Sequence, residues 1–157
     1  MKNIRRATAD DLCRVAEIEI FNYRLNFYPI FKNDDYYFSE LRVTELMGKY
    51  KSILDSAWVY DDGVVKGFIQ VTDGEIKKLF VEPVLQGDGI GSALLCFAKE
   101  ALGASFLWAL EKNVRAIKFY EGHGFRVTNS RRPEDDTAEY LVRLERDFYH
   151  SAPKYSS

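Results

Sequence analysis

From Glu75 to Gly91 the chain reads EIKKLFVEPVLQGDGIG, a short strand, a loop with one proline and three closely spaced glycines ahead of a helical run. No other stretch constrains the fold as much. Glycines at 87, 89 and 91 let the backbone approach a ligand, and the unpaired N–H groups that open the next helix, with its dipole, favour an anion there. The same residues also describe an ordinary strand-to-helix turn. Ile90, Leu94, Leu95, Ala98, Ala101 and Leu102 keep helical spacing after the glycines, and Gly103 ends the run.

Gln86, Gly89 and Gly91 fit the pattern Gln/Arg-x-x-Gly-x-Gly/Ala, and the segment from Asn113 through Ala116, Phe119, Tyr120 and Gly124 to Phe125 fits Asn-x-x-Ala-x-x-Phe-Tyr-x-x-x-Gly-Phe. Together they resemble the GCN5-related N-acetyltransferase (GNAT) family, in its small single-domain bacterial form. The opening IRRATADDL and the closing YLVRLE look like that family's first and last strands, so the likeness covers residues 3–146. It implies an α/β fold (α+β by some schemes) with a mixed, mostly antiparallel sheet of about six to seven strands and about four helices on its two faces. The strands at 75–81 and 105–110 would be splayed apart.

The chain of 157 residues is long enough for one domain with its own core, expected over 1–148 with a short polar tail at 149–157. No apolar run approaches the roughly 20 residues that cross a bilayer, and MKNIRRATADD lacks the apolar middle of a signal peptide. A cytoplasmic protein with no membrane partner is the expectation. A net charge of −2 gives no general attraction to nucleic acid. Cys13 and Cys96 fall in apolar helical patterns without metal-type spacing, so buried, reduced thiols and no metal are expected.

In chain order, residues 3–7 read as a strand, Thr8 and Asp11 as a capping pair, and Leu12 onward as a helix fading between Asn22 and Leu25. Eight aromatic residues fall between Phe21 and Phe38, too irregularly spaced for one core stripe. Some of them pack the first helices on the sheet, and others are candidates to line an acceptor cleft. Ser39 is the expected cap of a helix to Leu54, weakened at Gly48. Trp58–Tyr60 and Val64–Val71 read as a hairpin, Phe106–Leu110 as a strand, and Asn113 as the start of another helix. Phe125–Thr128 and Glu139–Leu144 close the chain around a charged loop, Arg131–Asp136.

The resemblance implies acetyl-CoA as co-substrate and a primary amine as acceptor, on a small molecule or at a protein lysine or N-terminus. It places the pyrophosphate on the backbone of Gln86, Gly87, Asp88, Gly89, Ile90, Gly91 and Ser92, and pairs the pantetheine arm with the main chain of Leu79, Phe80 and Val81. Asn113 would bond that arm, and Tyr120 would face the thioester sulfur as acid or hydrogen-bond donor. Asp88 stands where the family often has a cation, so its side chain is expected in solvent, with Lys112, Arg115 or Lys118 left for the nucleotide's 3′-phosphate. Glu75 is the expected general base, with Glu82 and Glu111 as further candidates. Phe27, Tyr28 and Tyr36 are the expected acceptor contacts, since aromatic faces beside Asp34, Asp35 and Glu40 suit a cationic amine. His123, in a Gly-His-Gly helix exit, reads as a surface residue. A monomer or homodimer is expected. The alternative is a CoA-binding sensor or structural protein that keeps the fold without turnover.

Overall fold

The computed structural model describes residues 2–147; the expected polar tail at 149–157, His150 included, lies outside them. Strand β1 (Ile4–Arg6) leads through a 3-10 turn into helix α1 (Leu12–Asn22). The capping pair forms as read: the Thr8 N–H donates to the Asp11 carboxylate at 2.8 Å, and Arg5 grips that carboxylate with bonds of 2.8 and 2.9 Å.

Beyond Asn22 the chain departs from expectation. Instead of fading, α1 widens into a π-turn, Tyr23–Phe27, and tightens again as α2 (Tyr28–Phe31), which Lys32 ends at φ 51°. A second π-turn, Asp35–Glu40, follows. Each wide turn shifts side chains off the 3.6-residue rhythm, which is why the aromatic residues here look aperiodic in the sequence. Ser39 is inside the second π-turn and caps nothing. Helix α3 (Val43–Tyr50) starts instead after an extended Arg42, runs through Gly48 without a break, and gives way to a 3-10 stretch, Lys51–Ser56.

The sheet has seven strands in the order β1-β2-β3-β4-β5-β7-β6. Strands β2 (Ala57–Asp61), β3 (Val65–Thr72) and β4 (Glu75–Val81) form an antiparallel meander. Asp73 and Gly74 turn β3 into β4 with φ of 50° and 82°, the paired positive values of a two-residue hairpin turn. Strand β5 (Phe106–Leu110) is parallel to β4 but pairs with it only at Glu75↔Phe106 and Ile76↔Leu107. Past that point the two strands part, as the family likeness implies. Strand β6 (Phe125–Pro133) runs past Thr128 through an irregularity between Val127 and Arg131, and pairs with β7 (Tyr140–Arg146). Arg131 and Arg132 are therefore strand residues, and the charged loop is confined to 134–139.

Each face of the sheet has its own core. Val15, Ala16 and Ile18 of α1 and Leu46 and Tyr50 of α3 pack with Val59 and Phe68. On the other face Leu94, Leu95 and Ala98 of α4 (Ile90–Ala101) pack with Ile69, Ile76, Leu107 and Leu144, and α5 (Val114–Glu121) adds Tyr120. The thiols do not follow the expectation: Cys13 is exposed and Cys96 half-buried, since Leu12, Val15, Leu94 and Leu95 take the core-facing positions beside them. No helix among the described residues is long and apolar enough to cross a membrane.

Candidate active site

Where β4 leaves β5, a cavity of about 420 Å³ opens between the free edge of β4 and the first turn of α4. Of the residues expected to hold the cofactor, Leu79, Phe80, Val81, Gln86, Gly87, Gly89, Gly91, Ser92, Asn113 and Tyr120 line it. Asp88 and Ile90 do not: Asp88 is exposed and Ile90 is in the core. Gly87 and Gly89 adopt φ of 95° and 84°, a conformation that a side chain strains. The glycines are thus needed to turn the chain from the β4 loop into α4, with Gly89 as its N-cap.

The Gln86 side chain braces the loop rather than facing the cavity alone. It donates to the Asn22 Oδ1 at 3.0 Å, while the Asn22 Nδ2 donates to the carbonyls of Ile18 and Val81 at 2.9 and 2.8 Å. Asn22, 3% exposed, ties the glycine loop, the end of β4 and α1 together. Sequence reading missed it, because one polar residue at the end of an apolar helix pattern carries no sign of its long-range partners.

Tyr120 is 8% exposed, and its hydroxyl has no hydrogen-bond partner among the described residues. Burial pushes its phenol well above the usual range, so it stays protonated at neutral pH. Asn113 caps α5, its Oδ1 accepting from the Ala116 N–H at 3.3 Å. Contrary to the surface reading, His123 is half-buried, with its Nδ1 2.7 Å from the Phe119 carbonyl and its Nε2 2.9 Å from the Ser92 hydroxyl. It links the end of α5 to the first turn of α4. Arg115 lines the cavity, whereas Lys112 is engaged by Glu139 at 2.9 Å and Lys118 is not on the wall.

A second cavity, of about 680 Å³, shares Phe27, Leu79, Phe80, Asn113, Ala116 and Tyr120 with the first, so the two meet at Tyr120. One wall is aromatic, with Tyr23, Phe27, Phe31, Tyr36 and Tyr37. Of the expected acceptor contacts, Phe27 and Tyr36 are there. Tyr28 is not; its hydroxyl bonds Asp34 and its ring packs edge-on against Tyr37 and Phe38. Behind this wall Glu19, fully buried, accepts from the Tyr23 and Tyr50 hydroxyls at 2.7 and 2.8 Å and pairs with the Lys78 ammonium at 2.6 Å. Burial and the Glu19 charge together hold both phenols in the protonated form.

The carboxylates expected to act as base are not brought to this junction as free groups. Glu75 sits where β4 and β5 are still paired, lines neither cavity and is engaged by Lys77 at 3.0 Å. Glu82 pairs with Arg14 at 2.7 Å, and Glu111 receives two bonds from Arg131, at 2.8 and 3.0 Å. A strand-end glutamate looks available in sequence; the cation that occupies it is visible only in three dimensions.

Residues 54–127 match the family model described as the acetyltransferase (GNAT) domain. The peptidyl-lysine N-acetyltransferase YiaC of Escherichia coli (strain K12) is 32% identical over 74 residues, covering 46% of this chain and 51% of that protein. The chain thus spans about half the length of this curated relative. In solved structures the likeness extends further. The solution structure of apo-form YjaB from Escherichia coli aligns with a TM-score of 0.69 and 25% identity over 91% of this chain and 95% of that one. The PaiA N-acetyltransferase of Thermoplasma acidophilum, solved in complex with coenzyme A, aligns with a TM-score of 0.71 and 19% identity over 90% and 97%.

Proposed function

We propose that this chain, which carries the acetyltransferase (GNAT) domain match over residues 54–127, acts as a member of that family and transfers an acetyl group from acetyl-CoA directly to a primary amine, on a small molecule or at a protein lysine or N-terminus. The observation that carries the reading is the meeting of two cavities at Tyr120, one beside the free edge of β4 and the first turn of α4, the other walled by aromatic residues. Unpaired N–H groups from Gly87 to Ser92 suit a pyrophosphate. The main chain of Leu79 and Phe80 suits the amides of a pantetheine arm added as an extra strand. Asn113 has its amide nitrogen left over from capping, and Arg115 is the cation best placed for the 3′-phosphate.

In the transfer the amine nitrogen forms the new C–N bond, the C–S bond breaks, and the thiolate leaves. The Tyr120 hydroxyl donates a hydrogen bond to that sulfur. Its raised pKa makes full proton transfer to a thiolate, whose thiol titrates near 8.5, uphill, so the hydroxyl stabilises and positions the leaving group and the final proton comes from the ammonium by way of water.

The test is a thermal shift with CoA and acetyl-CoA, followed by free-thiol release and product mass over a panel of amines and lysine peptides. Stabilisation by both carriers and acetylated product are expected. Binding without thiol release on any amine favours the silent CoA-binding protein instead. Tyr120→Phe is expected to lower kcat roughly a hundredfold while leaving the CoA-dependent thermal shift intact. Unchanged kcat removes the hydroxyl from the mechanism.

A further inference from the structure

The wall of the acceptor cavity facing the aromatic segment is the loop between β6 and β7, which contributes Glu134, Asp135, Asp136 and Thr137; Glu40 adds a fourth carboxylate from the second π-turn. None of these four carboxylates has an ion-pair partner among the described residues. The lysines that line the cavity, both on β4, are engaged, Lys77 by Glu75 at 3.0 Å and Lys78 by Glu19 at 2.6 Å. The loop and the aromatic segment face each other closely enough to interact. Burial, then the Glu19, Glu40 and Glu134 charges, push the Tyr36 phenol up, and burial, then Tyr36 and Glu134, push the Tyr37 phenol up to about 12.

A second observation points to a ligand in the same space: Tyr120, more than nine-tenths buried, lines the cavity with its hydroxyl unpartnered among the described residues. The carboxylates form no group that could hold a metal ion among the described residues. These four carboxylates outnumber the two nearby guanidiniums that no acid among the described residues engages, Arg132 over the Trp108 ring and Arg24 on the Tyr37 carbonyl, and this excess of negative charge beside aromatic rings fits an organic cation. Yet carboxylates close to the reacting nitrogen would stabilise its ammonium form and oppose attack. The two demands are met if different nitrogens serve them. Tyr120 shares its core cluster with Leu107 and Ala109, Ala116 packs against that cluster, and all three also line this cavity; these apolar surroundings favour the neutral amine there.

Resting on the acetyltransferase reading, we propose that the acceptor is a primary amine carried by a molecule with a second positive charge, which Glu134, Asp135, Asp136 and Glu40 hold at the cavity mouth while the reacting nitrogen reaches Tyr120. The chemistry is shared by a free alkyl diamine and by a lysine followed by another basic residue. Both walls, residues 23–40 and 134–137, lie outside the stretch 54–127 that matches the family model.

The experiment compares linear monoamines with α,ω-diamines of equal length, and single-lysine peptides flanked by glycine with the same peptides flanked by arginine. Acetyl transfer is read by mass, and acceptor binding to the CoA-loaded protein by calorimetry. The dicationic member of each pair is expected to have a KM about tenfold lower at low salt, an advantage that shrinks as ionic strength rises. In the triple substitution Glu134→Gln, Asp135→Asn, Asp136→Asn that ratio is expected to fall to near one, while the thermal shift with CoA, which reports folding and the other cavity, is retained. Whether the diamine or the basic peptide gives the lower KM identifies the source of the second charge. Equal KM for monoamine and diamine, or a ratio that survives the triple substitution, overturns the inference and leaves the acetyltransferase reading standing. CoA binding with no acetylation of any amine overturns the acetyltransferase reading instead; calorimetry then still decides whether dications are preferred.

Discussion

A single carboxylate, Asp11, shows how one residue fixes the start of the fold. It receives the Thr8 N–H and the two terminal Arg5 guanidinium nitrogens, and the Arg5 bond is the largest influence holding its carboxyl below the usual carboxylate range. A depressed folded pKa contributes stability above the unfolded value near 3.9, and that contribution is lost as pH falls through the folded pKa. Asp11→Asn is therefore expected to lower unfolding stability by about 1 kcal/mol at pH 7, the Arg5 side chain being partly solvated, and to cost progressively less toward pH 2. Urea titrations of both proteins at several pH values check this; an equal difference at all pH values contradicts it. Tyr120 and His123 teach the reverse lesson. The Phe-Tyr pair in the motif marks Tyr120 from sequence, but nothing in Gly-His-Gly announces that His123 reaches across to Ser92 at 2.9 Å.

At the scale of elements, the site exists because a strand ends its pairing early and a helix begins on glycine. Strand β4 keeps β3 as a partner along its length but loses β5 after Ile76. Its outer edge is left open beside the first turn of α4. Gly89, the N-cap of that helix, has φ of 84°, so Gly89→Ala is expected to cost about 1 kcal/mol in stability through left-handed strain. It is also expected to weaken CoA binding by re-aiming the first N–H groups of α4. Chemical denaturation and a CoA titration of the same variant separate the two effects, and unchanged affinity would detach the glycine turn from the ligand. The π-turns were beyond sequence reading for a related reason: a pattern search assumes one period, and these segments switch between two.

Across the whole molecule, ion pairs between distant segments decide which acids are free. Arg14 of α1 takes Glu82, Arg131 of β6 takes Glu111, and Lys77 takes Glu75, leaving none of the three to accept a proton at the junction of the cavities. On the acetyltransferase reading, with the carboxylates of loop 134–137 and Glu40 held by the acceptor's second charge, a lysine amine loses its proton to water at a cost of about 4.6 kcal/mol at pH 7, and kcat/KM is expected to rise about tenfold per pH unit between pH 6 and 9. A profile that levels off near pH 6 would show a base in the cleft. The glycine loop, the Asn113–Phe125 motif and the alternation of strands and helices were readable in the sequence, because hydrophobic periodicity, left-handed turns and helix starts are local demands on residue type. Which carboxylates are paired, where β4 and β5 part, and that loop 134–137 faces the aromatic segment were settled only by the tertiary structure. Those facts depend on residues far apart in the chain, whose meeting is fixed by packing and charge and leaves no mark on their immediate neighbours.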